Sequence, residues 1–282
     1  SLGKADFGRL IDPFDARSDL EARVIRVLHP GSFNDDPTRI FRAIRYEHRL
    51  GFRMDEETER LARACIGLGL VGALSSARLR DELVLLLDEE DVTQSILRLA
   101  ELGADRAIHP LLAADAQAAA LVERLSGLAR ELGLDVPSWQ LGLAVLARRL
   151  PPTELATWLA WLKLGRGDAT PIEAAVVQGP RILERLRTGG VDRAGLVALC
   201  EGSAPAGPLF ALALEERQEL RTYFGELASL RLSVTGADLA EIGLAESPRV
   251  GEVLAELRTR LLNGDLGGRD EQLAAARRLV LD

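Results

Sequence analysis

The sequence DDPTRIFRAIRY, residues 35–46, is the most informative part of the chain because it combines a helix start with regularly spaced arginines. Asn34 or Asp35 is a suitable N-cap and Pro37 suits the first turn, so the sequence predicts a helix over residues 36–50. Carboxylates at this point also favour the positive end of the helix dipole. The helix therefore begins with two acidic groups and continues with basic ones.

The basic residues of this helix recur at spacings of three, three and four, at Arg39, Arg42, Arg45 and Arg49. Side chains three or four positions apart lie on the same face of a helix. The residues expected to face a core are Ile40, Ala43, Ile44 and Leu50. Glu47 is then the one acidic interruption of an otherwise basic face.

Asp36 and Arg39 can together recognise the pairing edge of a base. An ionised Asp36 only accepts hydrogen bonds, whereas Arg39 only donates them. Cytosine and adenine each present an amino donor beside a ring-nitrogen acceptor, and uracil and guanine present the reverse order. The pair can thus accept C or A and reject U or G, while Arg42 and Arg45 hold triphosphate oxygens. The alternative is a capped helix that carries only surface ion pairs.

This stretch resembles the (E/D)DxxRxxRAxR motif of the class II tRNA nucleotidyltransferases and bacterial poly(A) polymerases. The resemblance covers residues 7–85 and, less closely, residues 232–265. Further segments that are similar to family motifs are Gly8–Phe14, Asp19-Leu20, Val24–Val27, Gly51-Phe52, Asp55–Thr58, Leu74–Leu83, Thr235–Leu239 and Gly243–Leu254.

The resemblance implies a role and substrates for these residues. Asp36, Arg39, Arg42 and Arg45 would bind the nucleotide, and Asp35, Arg78 and Glu82 would support the helix that reads it. It also implies ATP and CTP as substrates, the tRNA 3′ end as partner, and Mg²⁺ held by ligands outside this chain. It does not distinguish addition of CC, A, the full CCA or a poly(A) tract, and oligomeric state stays open.

The chain departs from the family pattern at several positions. Asp15-Ala16 replaces the usual Gly-Gly of the turn after Asp-Pro-Phe. Ala77 replaces a glutamate of the neck motif, so its usual salt bridge cannot form, and Glu246–Pro248 replaces Pro-Gly-Pro in the tail. The sequence also contains no Gly-Gly, Arg-Asp and Asp-x-Asp series, the carboxylates that hold metal ions. We therefore expect a fragment that lacks the N-terminal catalytic head and does not catalyse nucleotide addition by itself.

The patterning predicts a mainly α protein, with helical neck, body and tail after a short β remnant of a nucleotidyltransferase head domain. Phe7–Pro13 and Val24–Leu28 are the predicted strands. After residues 36–50, helical periodicity predicts helices at about 56–69, 76–89, 91–103, 115–133, 138–149, 152–164, 169–188, 192–201, 208–230, 236–242, 248–263 and 269–280. The predicted divisions are the head remnant at 1–34, the neck at 35–104, the body at 105–207 and the tail at 208–282. Residues 202–208, rich in Gly, Ser and Pro, are the predicted linker between body and tail.

Composition indicates a folded, intracellular chain. Hydrophobic content is 47% and charged content 28%, both near the norm for globular proteins. No apolar run reaches about 18 residues, so we expect no membrane span and a cytoplasmic location. Cys65 and Cys200 are predicted to be buried thiols. The net charge of −8 argues against indiscriminate nucleic-acid binding but allows a local site.

The tail contains the candidates for RNA contact. Pro248 is expected at the first turn of a helix that reaches Asn263, with Arg249, Arg258 and Arg260 nearby. We expect these arginines to contact phosphates of tRNA, and the alternative is a tail that only packs or dimerises.

Three other groups have plainer explanations. His29, His48 and His109 have no partners at ligand spacing, so no metal site is predicted. The tryptophans Trp139, Trp158 and Trp161 fit core packing better than base stacking. The acidic run Asp88–Asp91 is predicted to end one helix and cap the next.

Two functions of different classes remain. The first is an RNA 3′-end nucleotidyltransferase, for which this chain supplies nucleotide selection and tRNA binding. The second is a non-catalytic helical RNA-binding or scaffolding module of a larger protein. A preceding segment with the metal-binding carboxylates would decide for the enzyme.

Overall fold

The computed structural model describes residues 11–203, 205–244 and 246–281, and these are helical almost throughout. The helices of the first half are α1 (Ala16–Ala22), α2 (Ser32–Asp35), α3 (Thr38–Leu50), α4 (Glu56–Gly67), α5 (Ser76–Leu87), α6 (Val92–Leu102), α7 (Ala104–Ile108), α8 (Ala116–Glu131) and α9 (Ser138–Ala147). Those of the second half are α10 (Pro152–Trp161), α11 (Arg166–Glu173), α12 (Gly179–Arg187), α13 (Arg193–Glu201), α14 (Ala206–Leu214), α15 (Gln218–Gly225), α16 (Gly236–Glu241), α17 (Pro248–Asn263) and α18 (Arg269–Leu281). The prediction of a mainly α protein is confirmed.

The β structure is smaller than predicted. In the described ranges it consists of β1 (Val24–Ile25) and β2 (Arg53–Met54), which pair in parallel. Of the predicted strand Phe7–Pro13, residues 7–10 lie outside the described part of the chain, and residues 11–13 are not in a strand. The predicted Val24–Leu28 strand stops after Ile25, and β2 was missed because two residues are too few for a periodic pattern.

The predicted cap of the arginine-bearing helix was wrong. Asn34 and Asp35 belong to α2, and α3 begins at Thr38. The capping carboxylate is Asp36, whose Oδ1 accepts hydrogen bonds from Thr38 N at 3.1 Å and Thr38 Oγ1 at 2.6 Å. The chain is extended at Asp36, with φ −150°, so α2 ends there before α3 starts.

The core face of α3 is largely as predicted. Ile40 and Ile44 are fully buried and Ala43 nearly so, but Leu50 is 52% exposed, so that part of the prediction was wrong. Glu47 is buried instead, at 7% exposure. Leu50 lies in the last turn, where Gly51 ends the helix with φ 64°.

The turn in which Asp15-Ala16 replaces Gly-Gly keeps a conformation typical of glycine. Asp15 is left-handed, with φ 55°, and Ser18 Oγ donates to its Oδ1 at 2.8 Å. The backbone N–H groups of Ala16 and Arg17 each donate to the Asp12 carboxylate at 2.8 Å. Aspartate tolerates this region better than most residues, so Asp15 can adopt it directly before α1.

Most predicted helices are present within a few residues of their predicted bounds. Two helices that were predicted to be continuous are interrupted. The helix predicted over 169–188 contains a π-helical segment, Ala174–Gln178, three residues after Pro171. Pro171 lacks the N–H that an α-helix interior uses, which favours such an irregularity. The helix predicted over 208–230 breaks after Leu214, because Glu215 and Arg217 are extended.

The predicted linker at 202–208 is not a linker. Its last three residues begin α14, in which residues 206–213 are all buried. A Cβ at Gly207 would lie 2.7 Å from Ser203 Cβ, so the glycine is needed for close packing rather than for freedom.

The described residues form two compact units. The first lies within residues 1–126 and 136–173, and the second within residues 127–135 and 174–282. The predicted head, neck, body and tail boundaries stay a prediction.

A network of ion pairs centred on Arg98 lies in the first unit. Its guanidinium donates to Glu47 from Nε at 2.8 Å, to Glu59 from Nη2 at 2.6 Å and to Glu101 from Nη1 at 2.9 Å. Burial lowers the pKa of Arg98, and the hydrogen bonds to the three glutamates outweigh it and raise the pKa. Glu47 Oε1 also accepts from Met54 N at 2.8 Å, so the network joins α3, α4 and α6 to β2.

The second unit contains a small core formed by α16, α17 and α18. Its buried side chains are Val234, Leu239, Leu244, Val253, Leu257, Ala275 and Ala276. Asp238 accepts from Thr235 N at 2.7 Å and also pairs with Arg269. The bonds from Thr235 and Arg269 lower the pKa of Asp238 to about 2. The Thr-Gly-x-Asp-Leu motif therefore acts as a capping box that ties α16 to the start of α18.

No single described helix is long and apolar enough to span a membrane; α13 and α14 reach that length and composition only as a pair bent by 112°. Cys65 and Cys200 are both free and buried, as predicted.

Replacement of Arg98 tests the importance of this network. We expect Arg98→Met to lower the free energy of unfolding by about 3 kcal/mol, because Glu47 is left buried without a counter-charge. Urea denaturation measures the change, with Arg60→Met as control, since Arg60 pairs with Glu57 at the exposed surface and should cost less than about 0.5 kcal/mol. Equal losses in the two variants would contradict a central role for Arg98.

Candidate nucleotide-binding site

Asp36 is held by three donors that all reach the same oxygen. In addition to the two bonds from Thr38, Arg78 Nη2 lies 2.8 Å from Asp36 Oδ1. Burial raises the pKa of Asp36, but the bonds from Thr38 and Arg78 outweigh it and lower the pKa. The carboxylate is thus an ionised acceptor with a fixed position at the start of α3. Arg78 forms this ion pair although Ala77 replaces the glutamate of the neck motif.

Arg39 is held by the residue that begins α2. Its Nη1 donates to Ser32 Oγ at 2.8 Å and to Ser32 O at 3.1 Å. Ser32 is 6% exposed, whereas the side chain of Arg39 is exposed. The structure therefore positions both residues of the predicted base-reading pair. Asp36 is held in part by Arg78, which the neck motif had singled out, whereas Arg39 is held by Ser32, which no motif pointed to.

A cavity of ≈ 380 Å³ lies beside this pair. Its walls are formed by Ile25, Arg26, Val27, Leu28, His29, Ser32, Phe33, Arg39, Arg42, Ala43 and Tyr46. Among the described residues, three arginines and no acidic side chain line it, so it suits an anionic ligand. Arg26 forms ion pairs with Asp55 at 2.6 Å and with Asp19 at 3.1 Å. Arg39 and Arg42 are therefore the cations of the cavity wall that are available to a ligand.

Arg42 and Tyr46 interact within the cavity wall. A side-chain hydrogen bond from Arg42 lowers the pKa of the Tyr46 hydroxyl, and the same bond raises the pKa of Arg42. Among the described residues, no carboxylate lies within salt-bridge distance of the Arg42 guanidinium, so its charge is available to a ligand in the cavity.

Arg45 lies in different surroundings from Arg39 and Arg42. Its side chain is 12% exposed, and its Nε is 3.9 Å from Glu89 Oε1. The guanidinium carbon lies 5.3 Å from the centroid of the Tyr46 ring. The structure does not place Arg45 in the cavity wall with the other two arginines.

Glu82 lies behind α3 with one oxygen unsatisfied. Its Oε2 is buried without a hydrogen-bond partner among the described residues. Burial raises the pKa of Glu82, although Arg45 and Arg42 act in the opposite direction. Glu82 is thus close to the arginine-bearing helix, as the neck motif implied, but it does not hydrogen-bond to it.

Asp35 is exposed, with its Oδ2 3.7 Å from His29 Nε2. It lies in α2, and a role in supporting α3 stays a prediction. Of the other predicted supporting residues, Arg78 pairs with Asp36 at the start of α3, and further contacts of this helix come from Ser32, Thr38 and Glu47. Thr38 was identifiable from the sequence, since a hydroxyl two residues after an aspartate is a common local capping pattern. Ser32 was not, because it contacts a side chain seven residues away across a break between helices.

The predicted RNA-contacting arginines of the tail have partners within their own unit. Arg258 pairs with Glu201, and Arg260 Nε lies 2.6 Å from Glu256 Oε1. Arg249 Nη2 donates to Leu279 O at 3.2 Å. Of these three arginines, Arg249 is therefore the one whose charge has no carboxylate partner among the described residues.

The other candidates behave mainly as structural groups. Trp158 is buried as predicted, but Trp161 is 43% exposed, because it ends α10 at the surface. Asp91 caps α6 by accepting from Gln94 N at 3.5 Å, as predicted for the acidic run. Within the described ranges no three or more His, Cys, Asp or Glu residues are grouped as a metal site.

Comparison with known proteins gives matches along the whole chain. Residues 51–115 match a family described as the probable RNA- and SrmB-binding site of polymerase A. The A-adding tRNA nucleotidyltransferase of Geobacter sulfurreducens is 32% identical over 99% of this chain and 33% of its own length. That of Halalkalibacterium halodurans is 29% identical over 98% of this chain and 64% of its own length. The chain thus spans between a third and two thirds of these relatives.

Solved structures agree with the sequence matches. The CCA-adding enzyme of Thermotoga maritima in complex with tRNA superposes with a TM-score of 0.79 and 28% identity, over 96% of this chain and 68% of that one. The resemblance predicted from the motifs is thereby confirmed.

The buried oxygen of Glu82 provides a pH-dependent test of the site. Because the pKa of Glu82 is raised in the folded protein, folding favours its protonated form and loses stability as pH rises above the pKa of the unfolded chain. We expect Glu82→Gln to increase the free energy of unfolding at pH 7.5 and to have no effect near pH 4. Urea denaturation at both pH values measures this, with Glu90→Gln as the exposed control. A loss of stability at pH 7.5 would show that ionised Glu82 is net stabilising.

Proposed function

Because the chain is related to the tRNA nucleotidyltransferases over nearly its whole length, we propose that it is the nucleotide-selecting and tRNA-binding part of an RNA 3′-end nucleotidyltransferase. The observation that carries this proposal is the pair Asp36 and Arg39, held one helical turn apart at the start of α3. An ionised acceptor beside a permanent donor is complementary to the pairing edges of adenine and cytosine. The protein side chains thus take the place of a template base.

The cavity next to the pair is suited to the triphosphate. Arg42 is the stronger candidate for the phosphate contact because it lines the cavity and its charge has no carboxylate partner within salt-bridge distance among the described residues. Arg45 stays a predicted phosphate ligand, but its position near Glu89 also explains it as a structural residue. A phosphate contact carries no base information, so the two kinds of residue have separable effects.

The family implies Mg²⁺, and the described residues offer no ligand set for it. We therefore assign the metal to carboxylates elsewhere in the complete protein, where it would activate the attacking hydroxyl and stabilise the leaving pyrophosphate. This chain's own residues orient the base and the phosphates. The complete enzyme would act in the cytoplasm on tRNA 3′ ends.

Among the possible products, addition of adenosine is favoured. The two relatives that cover 98–99% of the chain are named as A-adding enzymes. The CCA-adding structure has the same fold at lower identity. The alternative, a non-catalytic RNA-binding module, is supported by the description of the family that matches residues 51–115.

Base choice tests the reading pair. In the full-length protein, acting on tRNA shortened at its 3′ end, we expect Asp36→Ala to reduce discrimination of ATP against GTP and UTP by about tenfold, since it removes one of the two bonds to the base edge. Asp36→Asn should abolish the discrimination without reversing it, because Arg39 remains a donor that faces the ring N–H donor of guanine or uracil. The asparagine Oδ1 can keep the bonds to Thr38 and Arg78 while an NH₂ donor replaces Oδ2.

Arg42→Ala should instead raise KM for every NTP alike, with Arg49→Ala on the same helix as its control. Single-nucleotide incorporation assays give kcat/KM for each NTP. Unchanged base choice in both Asp36 variants would contradict the proposed reading role. If the unsubstituted full-length protein incorporates no nucleotide, the result would favour the alternative, a non-catalytic RNA-binding module.

Arg249 provides a test of RNA binding by the tail. If it contacts one phosphate, Arg249→Ala should weaken tRNA binding and reduce the slope of log K against log salt by about 0.7–0.9. Filter binding between about 50 and 200 mM salt measures this. Arg221→Ala is the control, because Arg221 is paired with Glu131 and Glu216. An unchanged slope would favour a tail that only packs.

A further inference from the structure

Ser32 contacts both members of the reading pair. Its carbonyl oxygen accepts from Asp36 N at 3.3 Å and from Arg39 Nη1 at 3.1 Å, and its Oγ accepts from the same Nη1 at 2.8 Å. Ser32 is itself fixed, since it is buried and its N–H donates to His29 O at 3.0 Å. One buried residue thus determines where the acceptor and the donor stand relative to each other.

Each member of the pair is held through one terminal atom and leaves another one free. All three side-chain contacts of Asp36 use Oδ1, and none of the described bonds uses Oδ2. The contacts of Arg39 use Nη1, and its Nη2 and Nε have no described partner. The free oxygen and the free N–H groups are the atoms that a base edge needs. The contacts therefore hold Asp36 through Oδ1 and Arg39 through Nη1, and they leave Asp36 Oδ2 and the other N–H groups of Arg39 available to a base.

Such anchoring has a consequence for specificity. Adenine and cytosine present the same donor and acceptor order, but the purine carries its pairing edge farther from the ribose because a five-membered ring lies between. A reading pair that accepts both bases must move between two positions. A pair that is fixed by buried contacts fits one base when the triphosphate is bound. The other base can reach the pair only if it loses contacts either at its pairing edge or at the triphosphate.

We propose that Ser32 is a positioning residue that restricts the reading pair to a single base, adenine, by fixing Arg39. This inference rests on the proposed function, since it concerns the same site. Ser32 does not touch the nucleotide in this scheme, although it forms part of the cavity wall. It acts by preventing the guanidinium from following a smaller base. When the hydroxyl is absent, Arg39 keeps only its bond to the Ser32 carbonyl oxygen. That single bond does not prevent the guanidinium from moving.

The test compares Ser32→Ala with Ser32→Thr in the full-length protein, on tRNA that lacks its terminal adenosine. We expect Ser32→Ala to lower the ratio of kcat/KM for ATP to that for CTP by about tenfold, as expected for loss of a hydrogen bond to a charged group. Ser32→Thr retains a hydroxyl and should restore most of the ratio. Ser95→Ala is the matched control, because Ser95 is fully buried in the same unit and its Oγ has no hydrogen-bond partner among the described residues.

The outcomes separate this inference from the proposed function. A ratio that falls in Ser32→Ala and Arg39→Ala but not in Ser95→Ala supports a positioning role. A ratio that is unchanged in Ser32→Ala but lost in Arg39→Ala overturns the role of Ser32 and leaves the reading pair intact. Equal losses for ATP and CTP in Ser32→Ala, with a lowered melting temperature, also overturn it, since they indicate a structural residue. Base choice that survives in the Asp36 and Arg39 variants contradicts the proposed function itself.

Discussion

The ion pairs of Arg98 are the constraint on which the first unit depends. Glu47 is the acidic residue on the core side of α3, and burying its charge is unfavourable unless a cation and hydrogen bonds accompany it. Arg98 supplies the cation from α6, and the backbone of Met54 supplies a further donor. The second contact fixes β2, and β2 pairs with β1, which leads into the backbone wall of the cavity. One satisfied buried charge therefore links the core to the ligand-binding surface.

The nucleotide-reading groups follow the same principle on a smaller scale. An acceptor and a donor can distinguish bases only if neither is free to rotate toward the wrong partner. The N-terminus of α3 provides this rigidity, because the carboxylate that caps the helix is also the proposed reader. A single side chain thus stabilises the helix and presents an oxygen to the ligand. The flanking residues Arg78 and Ser32 complete the arrangement by occupying the atoms that do not read.

Much of this arrangement was predictable from local patterns, and the remainder depended on contacts distant in sequence. The spacing of apolar residues gave α3 its extent and its core face, and the charge order pointed to Asp36 and Arg39. The stripe of arginines also suggested that Arg45 would share the surroundings of Arg42. It does not, because its neighbour Glu89 comes from the loop after α5, which no periodicity in α3 reveals. Ser32 and Arg98 were missed for the same reason. Leu50 was misplaced because it lies in the last turn of α3, directly before Gly51, where the helical pattern ends.

The close packing of Gly207 against Ser203 has a practical consequence for handling the protein. A run of glycine, serine and proline is ordinarily where a label is inserted or a chain is divided. At residues 202–208 that choice would disrupt a buried helix start, since even a single added methyl group would collide. Gly189 and Gly190 offer the better position. Both are exposed and have positive φ, and a Cβ added to either would meet no atom within 4 Å, so an inserted loop there would extend into solvent.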